Sequence, residues 1–233
     1  MQQTKLLFLL LFLTCPALAQ SDSLSSFALG IGQDSYFGFY LSGNGSHPVG
    51  KNKSVTFYAN FWTNPAFGNA STGTDFWTEV GTGVNFTLAE GRLNLNPSLG
   101  FTYGKVLSGG EKGVLGDGVV PGLLAALRTR RADVNAGSYW FKSLQHAGPV
   151  TTDYLWIWLT PGYRWDRHLT TGVHLEDFYQ SRLTGGVDRN LYLWIGPYVQ
   201  FTFRNGAFLK AAGGYDAINK SFIKINANIP LTN

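Results

Sequence analysis

Apolar and polar residues alternate one by one through most of this chain, and that period of two limits what it can fold into more than any other feature. Only an extended strand sends successive side chains to opposite faces. Between Arg92 and Gly104, one parity carries Leu93, Leu95, Pro97, Leu99, Phe101 and Tyr103, while the other carries Asn94, Asn96, Ser98, Gly100 and Thr102. Residues 190–203 repeat the pattern, with Leu191, Leu193, Ile195, Pro197, Val199, Phe201 and Phe203 opposed to Tyr192, Trp194, Gly196, Tyr198, Gln200 and Thr202. Weaker versions occupy 55–62, 76–88, 119–130, 134–142, 155–165, 169–178, 207–213 and 222–231, and Tyr36 to Ser42 adds one more clear strand.

Alternation alone also suits a soluble sandwich or a lipocalin-like barrel. The polar face separates these cases. In a soluble protein it meets bulk water and is rich in Lys and Glu; here it is mostly Gly, Asn, Thr, Ser, Tyr and Trp. Charged residues make up 14% of the 233 positions, against about 25% in ordinary soluble domains. The apolar faces stay nearly free of charge, as contact with hydrocarbon requires. The reading is therefore an all-β, transmembrane, antiparallel up-and-down β-barrel, whose closure gives every strand edge a partner.

Connections give the strand number. Tight turns at 89–91, 129–132, 166–168 and 204–206 separate longer loops near 105–118, 143–152, 180–189 and 214–220. Short turns mark the periplasmic end of a membrane barrel and long loops the outer end. With both termini at the turn end the count must be even, so Phe27 to Ile31 is needed as a further strand. About 12 strands are predicted, or ten if 26–42 forms one bent strand. Ahead of them, Lys5, the apolar run Leu6 to Leu13 and the small-residue pattern Ala17-Leu18-Ala19 read as a signal peptide over 1–19. That run is too short to span a bilayer as a helix, and Thr14 and Pro16 around Cys15 disfavour a lipid anchor. The mature part, 20–233, is then one domain without cysteine, so no disulfide or thiolate metal site holds it together.

Signal peptide, alternating strands and alternating turn lengths together resemble the porin-like outer-membrane β-barrel proteins of Gram-negative bacteria, over the whole mature chain. No single porin, esterase or adhesin family is matched. The resemblance implies an outer-membrane location, lipid contact, and recognition of the last strand by the barrel-assembly machinery. Ile223, Ile225, Ala227, Ile229 and Leu231 supply that strand's alternation, but the chain ends Thr232-Asn233 rather than on an aromatic residue.

Tyr154, Trp156, Trp158, Tyr192, Trp194 and Tyr198 have lumen parity in the outer half, where they either pack as a filling or stack against small solutes; an interfacial girdle is the alternative for the tryptophans as a group. Arginines gather near the short turns, and Arg128 and Arg164 have the lumen parity needed for an anion-favouring ring. Pro97, Pro121, Pro161 and Pro197 sit on the apolar parity inside strands, which predicts bulges. His174 and Glu176 share an inward face, yet no serine beyond Ser138 suggests itself as their partner, so no catalytic residue is assigned. Loop acids Asp117, Asp153, Asp188 and Asp216 lack a metal-ligand spacing. No cofactor, metal or nucleic-acid partner is expected. The reading is a narrow channel or binding barrel for small solutes, with a closed structural or surface-recognition barrel, and less readily a lipid-modifying enzyme, as alternatives.

Overall fold

The computed structural model describes residues 25–62, 77–183 and 188–231; the segment 1–19 expected to be a signal peptide, Phe76 at the start of the expected strand 76–88, and Thr232-Asn233 lie outside them. Twelve strands follow in chain order: β1 (Ser26–Asp34), β2 (Gly38–Gly50), β3 (Lys53–Trp62), β4 (Trp77–Leu88), β5 (Leu93–Gly104), β6 (Val114–Arg128), β7 (Ala132–Ser143), β8 (Thr152–Arg164), β9 (Leu169–Leu183), β10 (Arg189–Thr202), β11 (Phe208–Asp216) and β12 (Lys220–Pro230). Each pairs with its neighbours in sequence, and β1 closes the ring antiparallel against β12, from Ala28 opposite Pro230 to Asp34 opposite Lys224. The fold is a closed twelve-stranded antiparallel barrel, and β1 is the strand that the even count requires.

Alternation sorts the side chains as the sequence requires. Ile195 is 50% exposed on the outer wall, while its neighbour Trp194 is 1% exposed in the lumen. Leu99, Phe101, Ile157, Val199, Phe201, Ile223 and Ile225 likewise face outward. In water so much exposed apolar surface would drive association; against acyl chains it is the stable face.

Inside, large rings lie over glycines of the neighbouring strand. Trp158 lies opposite Gly137, Tyr58 opposite Gly81, and Tyr139 opposite Gly122. A Cβ on Gly137 would come within 2.2 Å of the Trp158 ring, and one on Gly81 within 2.3 Å of Tyr58. Missing side chains on one strand thus make room for wide ones on the next.

Several local expectations are corrected. The four wall prolines make no bulges. Each is in register on one flank, Pro97 with Leu123, Pro121 with Leu99, Pro161 with Val134 and Pro197 with Val173. On the other flank the ladder skips the proline and one adjacent residue, then resumes in the same register. The lost N–H therefore removes pairing on one side only. Register shifts fall at Pro48/Gly50, Phe101/Tyr103, Asp153/Tyr154 and Asn190/Tyr192 instead. The last of these turns Leu191, assigned to lipid by parity, into a buried position.

Tyr36 and Phe37 belong to a turn, and β2 runs on through the Gly-rich segment 43–50, which is paired to β1 as far as Ser46 and to β3 as far as Gly50. Pairing to β1 and β3 overrides the poor strand propensity of that segment. The connection read as 214–220 is only 217–219, between β11 and β12.

Candidate functional site

The outer half of the lumen is filled with aromatic side chains. Tyr154 stacks on Phe178 at 5.2 Å, Phe178 on Tyr192 at 5.5 Å, Tyr192 on Trp194 at 4.0 Å and Trp194 on Phe222 at 4.7 Å. From the opposite wall, Trp62 meets Trp77 at 4.8 Å and Trp77 meets Phe141 at 5.4 Å. Both groups are buried. The turn between β1 and β2 joins in, with the Phe37 ring 5.8 Å from Trp156 and 5.2 Å from Phe178. Strand β8, which carries Trp156, lies six places from β2 in the twelve-membered ring, so Phe37 spans the lumen. Five of the seven tryptophans, Trp62, Trp77, Trp156, Trp158 and Trp194, thus pack inside instead of forming a girdle. Trp140 and Trp165 are exposed on the outer wall.

Beneath the rings lies a charged network. Glu176 on β9 receives the Lys224 ammonium at 2.7 and 3.0 Å, the Tyr192 hydroxyl at 2.6 Å and the Trp156 indole N–H at 2.9 Å. His174 Nε2 lies 2.9 Å from its other oxygen. Asp34 stands 3.8 Å from Lys224, and its carboxylate accepts the backbone N–H groups of Tyr36 and Phe37 at 2.9 and 2.6 Å. One buried lysine therefore links the β9 carboxylate to the residue that fixes the inward turn. Such an arrangement is stable only when each charge is paired and bonded. Glu79, also buried, accepts the Tyr58 hydroxyl at 2.6 Å.

Below this network a cavity of about 590 Å³ extends to the turn end, reaching Thr202, Gly206 and Asn228. Trp156 and Trp158 form part of its inner wall and remain half-buried. Around them stand Lys210, Lys224, Glu176, His174 and several amides, including Asn135, Gln200 and Asn226. Lys210 Nζ rests 4.0 Å above the buried Tyr198 ring.

The eight residues singled out from sequence are therefore distributed over four places. Trp156, Trp158 and Arg128 line the cavity; Tyr154, Tyr192 and Trp194 belong to the buried ring stack; Tyr198 supports Lys210. Arg164 lies with Arg92, Arg128, Arg130 and Arg131 on an open groove at the turn end, its guanidinium donating to the Thr129 carbonyl at 2.9 Å. Arg128 is paired to Asp133 at 3.1 Å. Phe37, Lys210 and the Asp34–Lys224–Glu176 connection were not singled out. Inward parity marks Lys210 and Lys224, because Leu209, Ile223 and Ile225 beside them face outward; nothing local marks Phe37.

His174 spends its Nε2 on Glu176, and among the described residues no serine bonds to it. Asp117 accepts the backbone N–H groups of Leu107 and Ser108, each at 2.9 Å, which fixes the loop between β5 and β6.

A closed barrel with an apolar outer wall and a polar, ring-filled lumen defines an outer-membrane β-barrel protein. A solved structure agrees on the fold. The COG4313 outer membrane channel from Pseudomonas putida F1 is similar at a TM-score of 0.56 and 12% identity, over 91% of this chain and 97% of that one. OmpT lacking loop L8, an outer membrane protein of Vibrio cholerae, gives 0.47 at 11% identity over 90% and 100%, and LpxR from Salmonella typhimurium gives 0.42 at 11% over 88% and 99%. No curated protein matches by sequence. Residues 1–231 match the model of a family of unknown function, DUF6733, and the chain belongs to that family.

Proposed function

We propose that this barrel is a narrow channel and binding site for small solutes, held shut in this conformation by the inward turn that carries Tyr36 and Phe37. The observation behind the reading is the pairing of a polar cavity at the turn end with a dry aromatic layer beyond it, a layer completed by a turn and not only by wall strands. Wall residues are fixed by ladders on both sides, whereas a turn can change position while its flanking strands stay paired. The two N–H bonds to Asp34 hold the turn inward, and the ion pair to Lys224 couples that carboxylate to the cavity wall. A solute that draws on Lys224 changes the support of Asp34, and with it the hold on Phe37.

The basic residues around the mouth favour anions over cations among the solutes that enter. No catalytic step belongs to this reading. The test is single-channel recording in planar bilayers: the wild-type protein is closed for most of the record, and Tyr36→Ala/Phe37→Ala shows long conducting periods. A folded double variant that conducts no more than wild type overturns the proposal in favour of a closed structural barrel.

A further inference from the structure

We propose that the ligand of the cavity is a monosaccharide acid: a hydroxylated ring with one carboxylate, the carboxylate seated at Lys210 and the ring against Trp158. This deepens the small-solute reading above and rests on it.

Arg128, Lys210 and Lys224 line the cavity with two carboxylates, Asp133 and Glu176. Arg128 takes Asp133 at 3.1 Å, and Lys224 takes Glu176 at 2.7 Å and, behind the cavity wall, Asp34 at 3.8 Å, so neither carboxylate of the cavity nor Asp34 is within ion-pair distance of Lys210. Lys210 stays partly enclosed, with the Tyr198 ring as its neighbour and without an ion pair among the described residues. A half-enclosed ammonium without a counter-charge is costly, and a bound carboxylate removes the cost. One unpaired cation calls for one negative charge, not the two of a phosphate.

The wall gives the remainder. Register places Gln200 and Asn226 on either side of Lys210, on β10 and β12, so amide donors flank the ammonium as a planar carboxylate requires. Asn94, Asn135, Thr160 and Thr202 continue the polar lining. Each is bonded within the wall and keeps a further donor or acceptor, which a ring bearing hydroxyls engages and an unsubstituted aromatic acid does not. Half-buried Trp156 and Trp158 offer the flat apolar surface against which the C–H face of a sugar packs. A volume of about 590 Å³ is ample for one such ring with its waters.

Isothermal titration of the detergent-folded protein with glucuronate, glucose and benzoate tests the charge and the hydroxyls separately. Glucuronate is expected to bind saturably, about tenfold or more tighter than either other probe. Lys210→Met is expected to bring glucuronate down to the level of glucose and leave glucose unchanged, while Lys210→Arg retains the preference. Equal affinity for glucose, affinity for benzoate as high as for glucuronate, or an unaltered Lys210→Met variant overturns the ligand class and leaves the solute-binding barrel standing. Silence from all three probes overturns both. The wild-type comparison decides even if the variants fail to fold.

Discussion

Phe37, carried by the turn between β1 and β2, lies 5.2 Å from the ring of Phe178 on β9, edge to face, and so ties one wall of the barrel to another through the lumen. An isolated pair of this geometry contributes about 0.5–1.5 kcal/mol beyond its buried area. That is small enough for a bound solute to offset. The contact is therefore suited to a closure that opens, in a way that a ladder of hydrogen bonds is not.

Breaking the Lys224–Glu176 pair is a damaging polar change. Both side chains are buried, and removing one leaves the other charge uncompensated, at a cost of roughly 3–5 kcal/mol. Lys224→Met and Glu176→Gln are each expected to lower unfolding stability by an amount of that order. The double variant is expected to lose clearly less than the two losses added. Urea unfolding in detergent, run as a double-mutant cycle, measures the coupling.

At Gly137 the issue is volume. Its added Cβ would lie 2.2 Å from the Trp158 ring, and overpacking of this kind costs about 1–3 kcal/mol. Gly137→Ala is expected to destabilise the barrel to that extent, and Trp158→Ala to relieve most of the penalty. Thermal unfolding followed by heat-modifiable gel mobility reads both.

Lipid contact predicts an asymmetry between outward- and inward-facing positions on β10. Ile195→Arg places a charge on the outer wall, where midplane arginine costs roughly 2–4 kcal/mol. Gln200→Arg, which faces the cavity, is expected to cost far less. Folding titrations into phosphatidylcholine vesicles compare the two.

One pH effect sits outside the membrane, in the turn between β8 and β9. Asp166 accepts backbone N–H bonds from His168 at 2.6 Å and Leu169 at 2.9 Å, and these hold its carboxyl below the ordinary 3.8. A carboxyl lowered on folding contributes stability above its unfolded value and loses it as the pH falls through its folded one. Asp166→Ala is therefore expected to be slightly less stable than wild type at neutral pH. The gap closes below 3.8, as unfolding midpoints measured across pH would show.

The sequence showed the wall better than its contents. Strict parity in β5 and β10 was legible because lipid tolerates no polar residue at Leu99 or Ile195, and the even count followed from which end carries the short turns. The strand at 43–50 was not legible, since Gly and Asn carry no apolar alternation and only pairing from β1 and β3 makes them a strand. Proline bulges were wrong because a missing N–H affects one flank and need not insert a residue. Within the lumen, parity pointed Trp156, Trp158 and Tyr192 inward correctly. It could not reveal that Phe37, beside β2, reaches Trp156 on β8 six places round the ring, nor that Lys224 of β12 meets Glu176 of β9. Contacts through a lumen depend on barrel radius and shear, which no local pattern records.

Sealing of the lumen by the inward turn is tested most directly by cysteine accessibility. Cys15 is the one cysteine of the sequence, so in a Cys15→Ser background a cysteine at Asn228, a cavity position at the turn end, is the only thiol. In intact cells, a membrane-impermeant maleimide is expected to leave Asn228→Cys unlabelled, to label it when Tyr36→Ala/Phe37→Ala is added, and to label both once the outer membrane is permeabilised. Rapid labelling of the single variant in intact cells, or none in the combined variant, would contradict the account.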